Sequence, residues 1–323
     1  MKNLIGIVAG EPNSISSEII FKCWKLVKNN KLNNFIIIGS VKLLINQSKK
    51  LGYKIPIHKL KSNFKQKDIK KNKLCVLNVD FNQKKSFDKI SIKSNKYIFN
   101  CFKLAINLIK KRKISGIINC PVSKETLFKG KNYGVTEYFS KRLNEKNNEV
   151  MLIFNKKLSV SPFTTHIPLK SVSKKINKKD IIKKVKIINE FYVKKIKKNP
   201  KIAVLGLNPH ANSSSIFSEE KKIIRPAINK LKNMRINVVG PVSPDTAFIN
   251  FKSKKINVIF GMYHDQVLTG LKTLFKFKAI NVTLGLRFMR VSPDHGVGSD
   301  IVGKNRADPD SLLESIKFLN YIK

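Results

Sequence analysis

NVIFGMYHDQ, residues 257–266, begins as an apolar run and ends in glycine, histidine and carboxylate. Apolar residues without polar alternation suit a strand buried on both faces, the kind found in parallel sheets. Two other stretches share the pattern, VLGLNPHAN (204–212) and SPFTTHIP (161–168). Each sets a histidine (His264, His210 or His166) just past a strand end. In α/β proteins ligands collect at strand exits, and imidazole is the commonest protein ligand for a catalytic divalent metal. The chain has only five histidines, so three at such positions form its strongest local signal. Three protein ligands with a fourth position open describe a catalytic site, not a closed structural one. A single histidine at a strand end is ordinarily just a satisfied polar residue. The recurrence, beside Pro, Asp, Asn and Gln, is what argues for metal.

Working outward, short apolar runs alternate with longer amphipathic stretches. Strands are expected at 4–9, 35–39, 74–79, 116–120, 150–154, 202–207, 236–239, 258–262 and 279–284. Helices are expected at 16–28, 94–112, 178–197, 218–232 and 309–321. In the third helix Ile181, Ile182, Val185, Ile188 and Tyr192 recur at helical spacing with lysines opposite. Such alternation predicts a layered α/β protein with mostly parallel sheets. The lysine- and asparagine-rich stretch 59–73 has no apolar period and reads as a surface loop. A second domain is expected to begin between 121 and 140.

The 323 residues, 42% of them hydrophobic, suffice for one large or two medium domains. Cys23, Cys75, Cys101 and Cys120 form no CxxC pair and read as reduced, buried thiols of a cytoplasmic protein. The N-terminal apolar run ends at Gly10-Glu11-Pro12 and reads as a first strand, and no uncharged run approaches membrane-spanning length. A net charge of +45 invites a nucleic-acid reading, but only seven of the 65 basic residues are arginine. Readers of phosphate and base edges favour arginine's bidentate fork. The lysines are spread along the whole chain and travel with Asn and Ile, as AT-rich codon drift would produce. No specific nucleic-acid function is expected, only salt-sensitive adsorption to polyanions.

No GxGxxG follows a strand. Instead DHGVGSDIVGKNRADPDSL, from Asp294, carries glycines at 296, 298 and 303 and opens a helix at Pro309. Such a loop can bring backbone N–H groups close to a phosphate or adenine, although an ordinary turn-rich loop has the same composition. Lys272, Asn281, Arg287 and Arg290 follow His264 within one βαβ-sized unit and suit a phosphorylated or carboxylated substrate. Asp245 and Asp265 could join the metal shell or orient a ligand histidine; Asp245 would equally serve as a helix N-cap. Ser218, Glu219 and Glu220 read as the charged start of a helix.

In order and spacing, THIPLKSV, LGLNPHA…FSEE, GPVSPDTAF, MYHDQVLTGLK, NVTLGLRFMRVSPDHG and SDIVGK resemble the 4-hydroxythreonine-4-phosphate dehydrogenase family of vitamin B6 synthesis. The likeness runs from GIVAGEP at residue 5 through TEYF at 136 to the final helix. HGVGSDIVGKNRADP also resembles the cofactor loop of the isocitrate and isopropylmalate dehydrogenases, whose fold that family shares. The resemblance implies a two-domain α/β protein with helices on both sheet faces and the active site in the interdomain cleft. The expected ranges are 1–130, rejoined by 300–323, and 131–299.

It further implies one divalent metal on His166, His210 and His264, and substrate contacts from Thr136, Lys272, Asn281 and Arg290. Lys272, Asp245 and Asp265 would assist the chemistry, and His295, Gly296, Asp300 and Gly303 would hold NAD, or alternatively NADP. Three imidazoles favour zinc or cobalt over magnesium. A homodimer with the site near the subunit interface is implied as well. The chain departs from the family at three places. Val135 stands where a histidine usually precedes the threonine, GEPNSISSE (10–18) lacks the inner glycines of GDPxGxGPE, and Asn212 to Ser215 replace glycines after NPHA. Two other readings stay open: a same-fold dehydrogenase for another phosphorylated hydroxy acid such as a phosphoerythronate, and a non-catalytic basic binding protein on a decayed scaffold.

Overall fold

The computed structural model describes residues 4–128, 134–143, 148–211, 216, 218–276 and 278–322. Two compact units emerge from the packing, Met1–Leu143 with Arg287–Lys323, and Asn144–Leu286.

The first unit opens with β1 (Ile5–Val8), α1 (Ser16–Val27), β2 (Phe35–Gly39), α2 (Val41–Lys50), β3 (Ile57–Leu60) and β4 (Leu74–Asn78). It continues through α3 (Asn95–Lys110), β5 (Gly116–Asn119), α4 (Lys124–Phe128) and α5 (Val135–Arg142). After the second unit the chain returns as β12 (Met289–Pro293) and α11 (Asp310–Tyr321). The six strands run parallel in the order β3-β4-β2-β1-β5-β12. Every residue of β1, β2 and β5 is buried, as an all-parallel sheet covered on both faces requires. α1 packs on α2 and α11, α11 lies on β12 and β5, and α3 covers β1 and β2.

β1 leads to β2 on one side and has β5 on the other, so the exits of β1 and β5 flank a topological switch point. There Glu11 N–H donates to the Pro121 carbonyl at 2.9 Å. Gly10, at φ +75°, makes this approach possible, because a Cβ would lie 2.5 Å from the Pro121 oxygen.

The second unit comprises β6 (Val150–Phe154), β7 (Ser159–Pro162), α6 (Val172–Lys175), α7 (Lys178–Phe191), β8 (Ile202–Leu205), α8 (Arg225–Asn233) and β9 (Val238–Val242). α9 (Pro244–Ala247), β10 (Val258–Gly261), α10 (His264–Phe275) and β11 (Ile280–Leu284) complete it. Its strand order is β11-β6-β7-β10-β8-β9, with β6 antiparallel to both neighbours and the other pairs parallel. Val160, Ala203, Leu205, Ile259, Val267 and Leu271 form the centre of its core.

The α/β class and mostly parallel pairing match the expectation, while several elements differ. β3 lies partly in the stretch read as loop; it is a half-exposed edge strand whose lysines need no apolar partner. β7 and β12 escaped notice because each is short and ends in proline. The expected 178–197 helix is α7 followed by a π turn, Tyr192–Ile196, and another π turn, Glu220–Ile224, precedes α8. Pro226 explains the second, since without an N–H it cannot continue the regular ladder. The unit bounds also differ from the expected 130 and 300. α5 stays with the first unit because Tyr138 and Phe139 stack on Phe102 of α3, and β12 does so because it pairs with β5.

Candidate active site

The three histidines leave three neighbouring strand exits of the second unit, with His166 past β7, His264 past β10 and His210 past β8. His264 is the first residue of α10, and its Nδ1 lies 2.7 Å from Asp265 Oδ1. With the carboxylate accepting an Nδ1 proton, Nε2 keeps its lone pair for a ligand. The His166 and His264 ring centroids are 5.6 Å apart. Imidazoles sharing one tetrahedral zinc, at Zn–N of about 2.0–2.1 Å, have centroids roughly 5 Å apart. This pair therefore fits a shared divalent ion.

His210 adopts the left-handed region at φ 56°, and its Nδ1 is 3.6 Å from Asp245 Oδ2. Among the described residues no group of three or more histidine, cysteine or acidic side chains comes together to hold an ion. His166 and His264 are thus brought together, while His210 pairs with Asp245. Asp245 is not the N-cap of α9, because Ser243 holds that position. The Ser243 hydroxyl, helped by Thr246 N–H, holds the Asp245 carboxyl below its ordinary range. Each candidate carboxylate, Asp245 and Asp265, is therefore paired with an imidazole.

Glu220 does more than start a helix. Buried, it accepts Leu207 N–H at 2.7 Å and Asn208 N–H at 2.8 Å through Oε1, and the Asn208 amide at 2.8 Å through Oε2. Burial pushes its carboxyl up, but these hydrogen bonds outweigh it and the net shift is downward. The β8 exit is thereby drawn so close that a Cβ on Gly206 would sit 2.6 Å from Ala211. Lys184 of α7 braces the β7 exit, with its Nζ donating to the Phe163 carbonyl at 2.6 Å. The expected consequence of Asn212 to Ser215 falls outside the described residues.

Lys272 lies half-buried on α10, and Asn281 lies on β11 with its Oδ1 enclosed and, among the described residues, lacking a hydrogen-bond partner. An enclosed, unpaired amide oxygen has an unmet need that a ligand donor would satisfy.

Arg290 and Thr136 belong to the first unit and meet there. Arg290 is 3% exposed; its Nε donates to Asn119 Oδ1 and its Nη1 to Thr136 Oγ1, each at 2.8 Å. Its guanidinium carbon stands 5.8 Å from the Phe139 ring centroid. Burial lowers its pKa to about 10, against the favourable charge of Glu137, so it stays cationic at neutral pH. Lys124, at the start of α4, is lowered by burial and then by the Arg290 charge. Asn119 and Lys124 were not singled out in the sequence; the strand-exit stretch NCPVSK could have drawn attention to both. Val135 is buried at the head of α5, next to Thr136.

The 294–309 loop is turn-rich and enters α11 after Pro309, as its composition suggested. Gly298 (φ +59°) packs on Ile15 and Gly303 (φ +73°) on Phe87, whereas a Cβ on Gly296 would meet nothing within 4 Å among the described residues. Gly296 thus leaves backbone open to a ligand, beside His295, whose Nδ1 is 3.1 Å from the Gly296 carbonyl. Asp300 is exposed. Val297 accepts from Ile15 N–H at 3.1 Å, and Ala307 N–H donates to buried Glu18 at 2.6 Å. Lys22 adds bonds to the Asn305 and Ala307 carbonyls. The substituted opening stretch 10–18 therefore still holds the loop.

A buried guanidinium and histidines at strand exits mark a two-unit α/β protein suited to anionic small molecules. Residues 31–319 match the family described as "Pyridoxal phosphate biosynthetic protein PdxA", and the chain belongs to that family. It is 39% identical to 4-hydroxythreonine-4-phosphate dehydrogenase of Sulfurihydrogenibium sp. (strain YO3AOP1), covering 99% of this chain and 98% of that one. A protein of Oceanobacillus iheyensis provisionally named D-threonate 4-phosphate dehydrogenase is 32% identical over 98% of this chain and 96% of its own. The crystal structure of 4-hydroxythreonine-4-phosphate dehydrogenase from Klebsiella pneumoniae aligns with a TM-score of 0.84 at 26% identity, covering 99% of both chains.

Proposed function

We propose that this protein is a dehydrogenase that oxidises 4-phosphohydroxy-L-threonine at C3 with NAD and releases carbon dioxide, giving 3-amino-2-oxopropyl phosphate for pyridoxal phosphate synthesis. The observation that carries the reading is the buried Arg290, fixed by Asn119 and Thr136, in a chain of this family.

Oxidation moves a hydride from C3 to the nicotinamide while the hydroxyl loses its proton, leaving a β-keto acid. The C1–C2 bond then breaks, and C2 takes up a proton as carbon dioxide departs. Arg290 with Thr136 on the first unit, and Lys272 with Asn281 on the second, each offer a cation and a neutral hydrogen-bonding group suited to phosphate or carboxylate. Fixing both ends of a short substrate orients C3 toward the nicotinamide. His166, His210 and His264 are the residues that would hold a divalent ion, zinc before cobalt or magnesium, which supplies Lewis acidity at the C3 oxygen. Asp265 and Asp245 orient two of those imidazoles. The backbone around Gly296, with His295, Asp300 and Gly303, would receive NAD or NADP.

A second substrate, D-threonate 4-phosphate or a related hydroxy acid phosphate, is favoured by one feature. Buried, apolar Val135 offers no ring donor beside Thr136. Exposed apolar side chains at Leu169 and Ile216, close in sequence to His166 and His210, and at Ile249 just past α9 support a homodimer. Among the described residues no helix is long and apolar enough to cross a membrane. The four buried free thiols support a cytoplasmic setting.

The test is NADH formation, followed by absorbance, from 4-phosphohydroxy-L-threonine, D-threonate 4-phosphate and a phosphoerythronate, with and without zinc. Turnover that needs zinc is expected to vanish in His264→Ala and to survive in His58→Ala on the edge strand β3. Zinc-independent turnover, or equal loss in both variants, would overturn the metal assignment. Silence with every acid would overturn the enzymatic reading.

A further inference from the structure

Helix α1 and its N-cap carry one stripe of residues, Ile15, Glu18 and Lys22, whose spacing of three and then four sets them on the same face. All three hold the 294–309 loop. Ile15 N–H donates to the Val297 carbonyl at 3.1 Å, and its side chain packs on Gly298. Glu18, fully buried, accepts Ala307 N–H at 2.6 Å through Oε1. The same oxygen accepts Lys22 Nζ at 2.8 Å. That ammonium also donates to the carbonyls of Asn305 at 3.1 Å and Ala307 at 2.7 Å. Tyr53, just past α2, adds its hydroxyl to Asn305 Oδ1 at 2.7 Å, and its ring lies 5.8 Å from that of Phe21 on α1.

These bonds fall where the loop backbone departs most from ordinary conformations. Gly303 stands at φ +73° and Asn305 at φ 58°, two left-handed residues with Lys304 between them. Asparagine tolerates that region better than most residues, and here Tyr53 holds its side chain while Lys22 holds its carbonyl. Stability alone does not call for a buried ion pair, because its attraction is largely offset by the desolvation of both charges. Glu18 Oε2 is even enclosed without a hydrogen-bond partner among the described residues. What the pair supplies is direction: one acceptor for an amide and one donor for two carbonyls fix the backbone of 305–307 in a single placement. Between these bonds and the Val297 contact, Gly296, Ser299 and Asp300 stay exposed on the loop. A loop that offers its backbone to a ligand binds in proportion to the fraction of time it keeps the receptive shape.

We propose that Glu18 and Lys22, with Tyr53, are positioning residues that hold the 294–309 loop in the shape that receives the dinucleotide, touching neither cofactor nor substrate. The inference rests on the cofactor reading given above, and the experiment separates the two. The full-length chain is titrated with NADH and with NADPH, followed by nucleotide fluorescence. Amide hydrogen exchange across 294–309 is measured with and without nucleotide, and melting temperature without it.

Lys22→Met removes all three ammonium bonds and keeps an unbranched stem. Tyr53→Phe removes only the hydroxyl bond to Asn305 on a half-buried ring, so it can be read even if the first variant folds poorly. Lys22→Met is expected to weaken nucleotide binding roughly 10-fold and Tyr53→Phe roughly threefold, with faster exchange at the Ala307 amide in the first. A merely structural role would lower the melting temperature and leave the affinity of the folded protein unchanged. Wild-type affinity in both variants would therefore overturn the inference alone. A wild type that binds neither nucleotide, or binds one without slowing exchange anywhere in 294–309, would overturn the cofactor reading and the inference with it.

Discussion

Replacing Arg290 by lysine keeps the charge and removes the fork. The wild-type guanidinium serves two acceptors 2.8 Å away, Asn119 Oδ1 through Nε and Thr136 Oγ1 through Nη1, and it faces the Phe139 ring. A lysine ammonium on its thinner stem reaches one of those oxygens and leaves the other enclosed. One hydrogen bond from a charged donor contributes about 1.5–3 kcal/mol, and the cation–π contact adds about 0.5–1 kcal/mol. The sum is a loss of about 2–4 kcal/mol. At about 2–4 °C per kcal/mol, the expected fall in melting temperature is roughly 4–16 °C. Thr136 would also lose its fixed hydroxyl, so a phosphorylated substrate meets a looser site. Losing one charge-assisted hydrogen bond of about 1.5–3 kcal/mol to the substrate corresponds to roughly a 10–150-fold drop in kcat/KM. Differential scanning calorimetry and steady-state kinetics on Arg290→Lys read both quantities. Melting within about 1 °C of wild type, with kcat/KM within about twofold, would refute the assignment of Arg290 as a structural and binding anchor.

Two further perturbations test other parts of the structure. Glu220→Ala strands the N–H groups of Leu207 and Asn208, each worth about 1–3 kcal/mol when buried without a partner. The variant is expected to lose about 2–6 kcal/mol and Glu220→Gln about half of that; hydrogen exchange at the N–H groups of Leu207 and Asn208 should accelerate in proportion, and unchanged exchange would exclude the brace. Burial raises the thiol of Cys101 to about 12 and those of Cys23 and Cys120 as well, from an ordinary 9.0. A raised folded value means stability complete below the unfolded pKa and lost as pH rises past it, by about 2 kcal/mol per thiol at pH near 10.5. Melting should fall steadily above pH about 9, with a shallower slope in Cys101→Ala; equal slopes would contradict the burial.

What could be read from the chain follows from where its information is local. Strands such as 35–39 and 202–205, with every residue buried, announce themselves as unbroken apolar runs because both faces need apolar cover. β12 does not, since Arg290 interrupts it and Pro293 ends it; its placement depends on pairing with β5, more than 170 residues earlier. The same holds for the site. Histidines at strand exits stand out in a chain with five of them, and Asp245 and Asp265 turned out to face imidazoles. Glu18, Glu220 and Asn119 looked like ordinary polar residues, because their roles consist of bonds to backbone or side chains that only folding brings near. Composition misled in one respect: the abundance of lysine hid Lys124 and Lys184, two lysines that burial makes unusual.

The first unit is interrupted by the second, and that arrangement orders events during synthesis. Residues 144–286 form a continuous stretch, and the pairings of β6 through β10 all lie within it, so most of this unit can close as soon as it leaves the ribosome. β5 has no such option. Paired with β1 on one side, it must keep its other edge open until the whole second unit and then β12 have been synthesised. For that interval a nascent chain carries an unpaired, wholly buried-type strand edge, the kind of surface that invites aggregation and chaperone binding.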